Sequence, residues 1–316
     1  MIPPGGAIVR GGGVLSRPLN KPQAYAGERG AVFVIREVLS LFKLRLASLV
    51  VVSAALGYLM GIAPGSFNGF DLALLCVAGT LLTGASNALN QVIEVNEDSL
   101  MKRTSDRPLV KGALSAAEAI VAAVLAGSAG ILSLWLAFGP LTGILSFISL
   151  FMYVALYTPL KKHSPWAVFV GAFPGAFPPM LGYVAATGEF GLGPGLLFAM
   201  QFIWQFPHFW AIAWVLHEDY ARAGFHLLPS KQGTDGQSAF LILIYTLVVI
   251  PVGMLPWFFG FTGTGSAVVA ILAGAIMLVP AWKLFRSHDR ADARALMFAS
   301  FIYLPIVQWA YVLDRT

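Results

Sequence analysis

Apolar residues run along this chain in nine long blocks, at about 46–63, 72–93, 114–137, 141–159, 166–186, 195–216, 239–258, 266–284 and 295–313, with short polar or Gly-rich stretches between them. Each block approaches the roughly 20 residues that a helix needs to cross the hydrocarbon core of a bilayer. The pattern predicts an all-α integral membrane protein with nine transmembrane helices over 36–316. Ahead of them, "MIPPGGAIVRGGGVLSRPLNKPQAYAGERG" carries Gly, Pro and scattered cations but no apolar core of signal-peptide length. Residues 1–35 are therefore expected to form a disordered, basic cytoplasmic tail, and the clustered Gly and Pro argue against the amphipathic helix of a mitochondrial presequence.

Composition sharpens this. The chain is 58% hydrophobic and only 11% charged, with a mean hydropathy of +0.77, which excludes an ordinary soluble domain. The few cations are sorted by loop. With nine helices and the N-terminus inside, nineteen of the twenty Lys and Arg fall on one side and only Arg315 on the other. Cytoplasmic loops carry such an excess, and a helix more or fewer would invert every later loop, so the orientation is N-in and C-out. The single cysteine, Cys76, lies within the second block and excludes disulfides and thiolate metal clusters.

Against this background the stretch "NALNQVIEVNEDSLMKRTSDRP" stands out. Asn87, Asn90, Glu94 and Asp98 are spaced three and four apart, so on a helix they form one polar ridge rising to the cytoplasmic edge. An ionised Asp at the bilayer centre costs about 2.5–3.5 kcal/mol, so such groups line a cavity or meet a partner. Carboxylates one turn apart, backed by amides, suit a hard cation that keeps its waters and carries phosphates, which describes Mg²⁺. Lys102, Arg103, Arg107 and Lys111 follow within ten residues, and guanidinium forks bind phosphate oxygens in pairs. Acid and base at one mouth together indicate a metal–diphosphate site. Glu97, taken alone, reads as a solvated helix end.

A second cluster, "QFPHFWAIAWVLHEDYARAGFHLLP", brings His208, Trp210, Glu218, Asp219 and Tyr220 to a loop on the same face. Lys161 and Lys162 share that face, where cytoplasmic topology and phosphate binding explain them equally. His163 and His226 fit solvated loops. Ser115 and Glu118 have capping-box spacing. Pro174, Pro178 and Pro179 are expected to break or kink the fifth helix where it lines a cavity.

The run from Asn90 through Glu94 and Asp98 to Lys102, Arg103, Arg107 and Pro108 resembles the first aspartate-rich motif of the UbiA superfamily of intramembrane prenyltransferases. Two departures matter, Gln91 for the first Asp of that motif and Glu94 for the second. Together with His208, Phe209, Trp210, Asp219, Tyr220, Gly224 and Pro229, they resemble the branch that farnesylates protohaem IX. The resemblance covers everything after residue 35 and implies a UbiA-type bundle. It implies Mg²⁺ held by Asn90, Glu94, Asp98 and Asp219, with Arg103 and Arg107 stabilising the departing diphosphate. It also implies that Asn87, Lys102, Lys111, Lys161, His208, Trp210, Glu218 and Tyr220 bind substrate, His208 and Trp210 on the haem side. Farnesyl diphosphate and haem b are the implied substrates, haem b not being a resident cofactor. Water capture would leave a hydroxyethylfarnesyl chain, giving haem O for terminal oxidases. The bilayer and a downstream haem A synthase are the remaining expected partners, nucleic acid is not one, and a bacterial inner membrane, with the mitochondrial inner membrane as alternative, is the expected location. The competing readings are a prenyltransferase acting on a quinone precursor or chlorophyllide, a transporter, and an assembly subunit.

Overall fold

The computed structural model describes residues 30–316. The expected disordered tail lies outside the described residues as far as 29, but its last five residues are already helical. The helix α1 spans Ala31–Phe42, followed by α2 over Leu44–Gly61, α3 over Gly69–Ile93 and the short α4 over Val95–Leu100. Next come α5 over Ala116–Phe138 and α6 over Pro140–Phe151, which passes through a π-helical turn at Met152–Tyr157 into α7, Thr158–Leu160. Then α8 is Ala167–Thr187, α9 Leu192–Val215, α10 His217–Arg222, α11 Gly236–Gly253, α12 Leu255–Phe258, α13 Thr264–Ser287 and α14 Arg290–Leu313.

Joining α6 with α7 and α11 with α12 leaves nine long segments among the described residues, at the positions expected. Eight of them are apolar and long enough to cross a bilayer. The ninth, α9, is long enough at 24 residues but carries Gln201, Gln205 and His208, and it is shielded by its neighbours. Burial explains how so polar a helix persists: 16 of its residues are buried, including all three of these. Outward-facing positions such as Val77, Leu125, Leu136 and Ile276 are exposed and apolar, as expected of a surface that meets lipid.

The segments close into a ring, each packing on the next and α14 returning against α2. Close backbone approach is built in by small residues, the usual device where lipid removes any hydrophobic drive between helices. Gly57 of α2 lies against the Pro179 carbonyl, and Gly182 of α8 against the Ala54 carbonyl, with no room for a Cβ at either. The three prolines do not break α8, which runs unbroken from residue 167 to 187. Pro179 has no N–H for the Gly175 carbonyl four residues back; that carbonyl instead accepts from Gln201 Nε2 at 2.7 Å. The helix does line a cavity, with Gly171, Pro174, Gly175, Phe177 and Pro178 forming one wall of it.

The two ends of the ring are chemically distinct. At one end lie Glu94, Asp98, Arg107, Lys161 and Asp219. At the other the chain terminus acts as a latch. Arg315 donates to the Leu59 carbonyl at the end of α2, Asp314 accepts from Ser266 N at 2.6 Å at the start of α13, and Thr316 N donates to Phe261 O at 3.3 Å. The lone cation of that end thus caps a helix C-terminus.

Candidate active site

The ring encloses a cavity of about 420 Å³, inside the roughly 300–1,000 Å³ usual for ligand pockets. Its walls are mostly apolar, from α2, α3, α5, α8, α9 and α14, with Leu75, Leu134 and Phe177 among them. Its polar lining includes Asn87, Gln201, Gln205, His208 and Gln308.

The ridge expected on α3 exists, but its continuity is interrupted. Glu94 leaves helical geometry, with φ −102° and ψ 15°, so that α3 ends there and α4 begins at a new angle. Leu216 repeats this between α9 and α10 with φ −102° and ψ 16°. Both breaks are followed at once by acidic residues, Glu97 and Asp98 on one side and Glu218 and Asp219 on the other. The segment after α4 reaches α10: Lys102 N donates to Asp219 Oδ1 at 3.3 Å. Residues 98 and 219 therefore share one end of the molecule, as the loop charges require.

Each carboxylate of the first motif has a cation. Asp98, 1% exposed, pairs with Arg107, and Thr104 Oγ1 donates to its backbone carbonyl at 2.7 Å. Glu94, 3% exposed, has Lys161 Nζ 2.5 Å from Oε1, off the direction of a hydrogen bond. Lys161 also lies over the rings of Tyr157 and Phe225, at 4.8 and 5.7 Å, so this lysine belongs to the site and not merely to a cytoplasmic loop. Glu97 is not a freely solvated helix end, for it pairs with Lys162 at 2.7 Å and keeps Oε2 buried without a partner. Asp98 Oδ1 is likewise sealed and unpartnered.

The amides behind the carboxylates divide their work. Asn90 Nδ2 donates to Thr158 Oγ1 at 3.2 Å, and that hydroxyl donates to Tyr153 O at 2.8 Å, bracing the π-helical turn. The turn places Tyr157, which the sequence pattern puts on the same face as Lys161, on the cavity wall together with Tyr153. Asn87 lines the cavity but gives its Nδ2 to Phe42 O at 3.1 Å, while Gln91 Nε2 donates to Leu41 O at 2.8 Å. These two amides hold the C-terminal carbonyls of α1. That explains Gln91, since an ionised Asp has no hydrogen to donate there.

Between α1 and α2, Lys43 adopts a left-handed conformation with φ 50°. Burial, and then the nearby Arg107, push its ammonium down to about 7, against the opposing pull of Asp98, with Lys161 and Arg103 lowering it further. Sequence reading missed Lys43 because it stands 55 positions from Asp98 in a segment that reads as a linker.

Other expected residues fall around the rim or outside it. Arg103 is exposed at the mouth. Lys102 contributes its backbone N–H, and Lys111 pairs with Asp106 at 2.9 Å on the surface. Asp219 pairs with Arg222. Tyr220 lines the cavity and Glu218 is exposed. His208 is on the cavity wall, its ring stacked on Trp204 with centroids 4.4 Å apart. Trp210 packs against Phe206 and Tyr245 and is not on the cavity wall, since two residues along a helix nearly reverse the facing, and Trp204 lines the cavity there. His163 and His226 are exposed, and Ser115 with Glu118 forms the expected capping box.

Among the described residues no three His, Cys, Asp or Glu side chains converge as a closed cage for a metal. Mg²⁺ does not need one, since it keeps several waters and takes one or two carboxylates plus substrate phosphates. Asp98 Oδ1, sealed and unpartnered, and Glu94 Oε1, which accepts no hydrogen bond, are acceptors of the required hardness, so the residues present fit such an ion.

Comparison with known proteins gives the following. Residues 50–304 match the model of the UbiA prenyltransferase family. The protoheme IX farnesyltransferase of Cytophaga hutchinsonii is 48% identical over 277 residues, covering 87% of this chain and 96% of its own. That of Christiangramia forsetii is 44% identical over 287 residues, covering 89% and 94%. Among solved structures, digeranylgeranylglyceryl phosphate synthase superposes with a TM-score of 0.74 at 16% identity, covering 89% of this chain and 98% of that one. A UbiA homolog from Archaeoglobus fulgidus bound to GPP and Mg²⁺ gives 0.65 at 12% identity, covering 88% and 99%. At those identities the structural likeness establishes the fold alone.

Proposed function

This chain belongs to the UbiA prenyltransferase family, and from that premise we propose how its residues carry a farnesyl group from farnesyl diphosphate to protohaem IX. It is a multi-pass membrane prenyltransferase, and the names of its relatives favour protohaem over a quinone precursor or chlorophyllide. The observation that carries the mechanism is the Lys102–Asp219 contact, which joins two acid-bearing turns over one apolar cavity.

The prenyl chain would lie along the apolar walls, each buried methylene contributing about 0.8 kcal/mol without directional contacts. Its diphosphate would then reach the charged end. Asn90, Glu94, Asp98 and Asp219 are the residues that would hold Mg²⁺. Bound there, the ion would supply Lewis-acid stabilisation of the leaving diphosphate. Arg107 and Lys161 are already at the carboxylates and Arg103 is at the rim, so all three can turn to the charge that develops on the leaving oxygens. Stabilisation of that kind acts mostly during bond breaking. Lys43 adds a fourth cation from the α1–α2 junction. The allylic carbon joins a vinyl group of haem on the His208 side, and the walls limit water to the place where it is used. The nineteen-to-one distribution of cations favours the charged end facing the cytoplasm, and the bacterial relatives favour a bacterial inner membrane.

Membranes containing the protein, incubated with haem b and farnesyl diphosphate with and without Mg²⁺, should yield haem O by mass only when the metal is present. Prenylated 4-hydroxybenzoate in place of haem O would overturn the choice of acceptor.

A further inference from the structure

One polar stripe of the cavity wall lies on α9. Gln201, Gln205 and His208 follow at spacings of four and three, so they share a face, and all three line the cavity. Gln201 is fully used, donating to Gly175 O at 2.7 Å and accepting from Gln308 Nε2 at 2.8 Å. Its two successors each keep an acceptor in reserve. Gln205 Nε2 donates to Ala172 O at 3.2 Å, which fixes the amide orientation and leaves Oε1 without a donor among the described residues. Gly175 permits this pose, for a Cβ there would overlap the Gln205 amide.

His208 Nδ1 lies 2.8 Å from Ser300 Oγ, and that hydroxyl gives its one hydrogen to Met297 O at 2.7 Å. Ser300 can only accept from the ring, so Nδ1 carries the proton and Nε2 is a bare lone pair. Among the described residues the sealed, unpartnered side-chain atoms belong to Glu94, Glu97 and Asp98 alone. Gln205 Oε1 and His208 Nε2 therefore open onto the cavity. Two acceptors one helical turn apart, with no donor, suit a water molecule, which gives a hydrogen to each and turns its own lone pairs toward the cavity.

We propose that Gln205 Oε1 and His208 Nε2 hold the water that becomes the product hydroxyl, with His208 as the base that takes its proton. The inference rests on the haem-farnesylating reading above. The bond between the allylic carbon and the diphosphate oxygen breaks, and that carbon joins the terminal carbon of a haem vinyl group. The positive charge then sits on the vinyl carbon attached to the macrocycle. The water oxygen bonds to this carbon while one of its protons passes to His208 Nε2, and the imidazolium later returns the proton to solvent. No oxidant or reductant is involved. Without a placed water the same cation sheds a proton to form a diene, a product lighter by one water. Gln205 and His208 are catalytic in this step, and Ser300 is a positioning residue that fixes the tautomer.

The test is the ratio of hydroxylated to dehydrated farnesyl-haem, measured by mass in the full-length protein supplied with haem b, farnesyl diphosphate and Mg²⁺. His208→Ala should shift that ratio toward the diene on the order of a hundredfold, the usual weight of a general base. Gln205→Met, which keeps the volume, should shift it about tenfold, as for one lost hydrogen bond. Ser300→Ala should move it in the same direction, with the haem b absorption change still present in all three. Unchanged product ratios in Gln205→Met and Ser300→Ala would overturn the proposal. So would loss of the haem b absorption change in His208→Ala, which would make this histidine an iron ligand. Failure of the unaltered protein to farnesylate haem at all would instead remove the reading on which the proposal stands.

Discussion

Glu94 and Asp98 are tolerated in this chain because each is buried against a cation. Breaking such a pair by removing one member costs about 3–5 kcal/mol, because the survivor is left as an uncompensated charge. Glu94→Gln strands Lys161 and Asp98→Asn strands Arg107, so both variants should lose turnover and also melt earlier than the parent. Inserted, fully stable and active protein in both would remove these residues from the site. Lys43 gives a pH signature. With its ammonium pushed down to about 7 by burial and by Arg107, it is mostly neutral above that pH in the empty protein. The unfolded lysine stays protonated to about 10.4, so this group costs stability below 7, and the cost fades as pH rises from 7 to 10. A bound diphosphate favours the protonated form. The KM for farnesyl diphosphate should therefore climb between pH 7 and 9, and Lys43→Arg should flatten that climb in initial-rate measurements. The carboxylates were legible in the sequence because a charge inside an apolar block has few innocent explanations. Lys43 and the pairing of Glu94 with Lys161 were not, since spacing along a helix reports one face and says nothing of what another helix brings to it.

At the level of elements, the prolines of α8 show where sequence reasoning falls short. Three prolines in six residues argue for a break, yet Gln201 from α9 supplies the hydrogen that Pro179 cannot. The same side chain accepts from Gln308, which in turn accepts from Ser53 Oγ at 2.9 Å, so four helices are tied at one depth. Gln201→Leu leaves Gly175 O and the Gln308 amide unsatisfied inside the membrane. At about 1–3 kcal/mol for each stranded group, a clear fall in thermal stability in detergent is expected, with the helical content retained. An unchanged melting temperature would show that water replaces the glutamine. The breaks at Glu94 and Leu216 were similarly invisible in the hydrophobic pattern, because one residue outside helical geometry leaves the three-and-four spacing almost intact. The π-helical turn at Met152–Tyr157 also escaped, as its residues are as apolar as any in a regular helix.

Over the whole molecule the number of long segments and their order were readable, because span length is fixed by the bilayer and loop charge by topology. Less readable was that α9, the least apolar of the nine, is wrapped by its neighbours. Residues 314–316 also tie the far end of the bundle together. Arg315 reaches back to Leu59 O, and Asp314 holds the start of α13. Arg315→Ala should lower the melting temperature while leaving the KM for farnesyl diphosphate unaltered, since the charged mouth lies at the other end. A raised KM with unchanged melting would mean that the latch communicates with the site.

The resting ion pairs of the mouth have a consequence for loading. A divalent ion arriving alone must pull Asp98 or Glu94 from its partner and strand Arg107 or Lys161; a free diphosphate must do the reverse. Arriving together, they exchange partners and leave nothing unmatched. Occupancy by metal and by anion should therefore be strongly cooperative, each tightening the other by the same factor, and calorimetric titration of Mg²⁺ with and without a non-hydrolysable farnesyl diphosphate analogue measures that factor directly. Independent binding of the two would mean that the pairs do not open on loading. The mouth is thereby guarded by its own salt bridges against stray phosphate and stray cations alike.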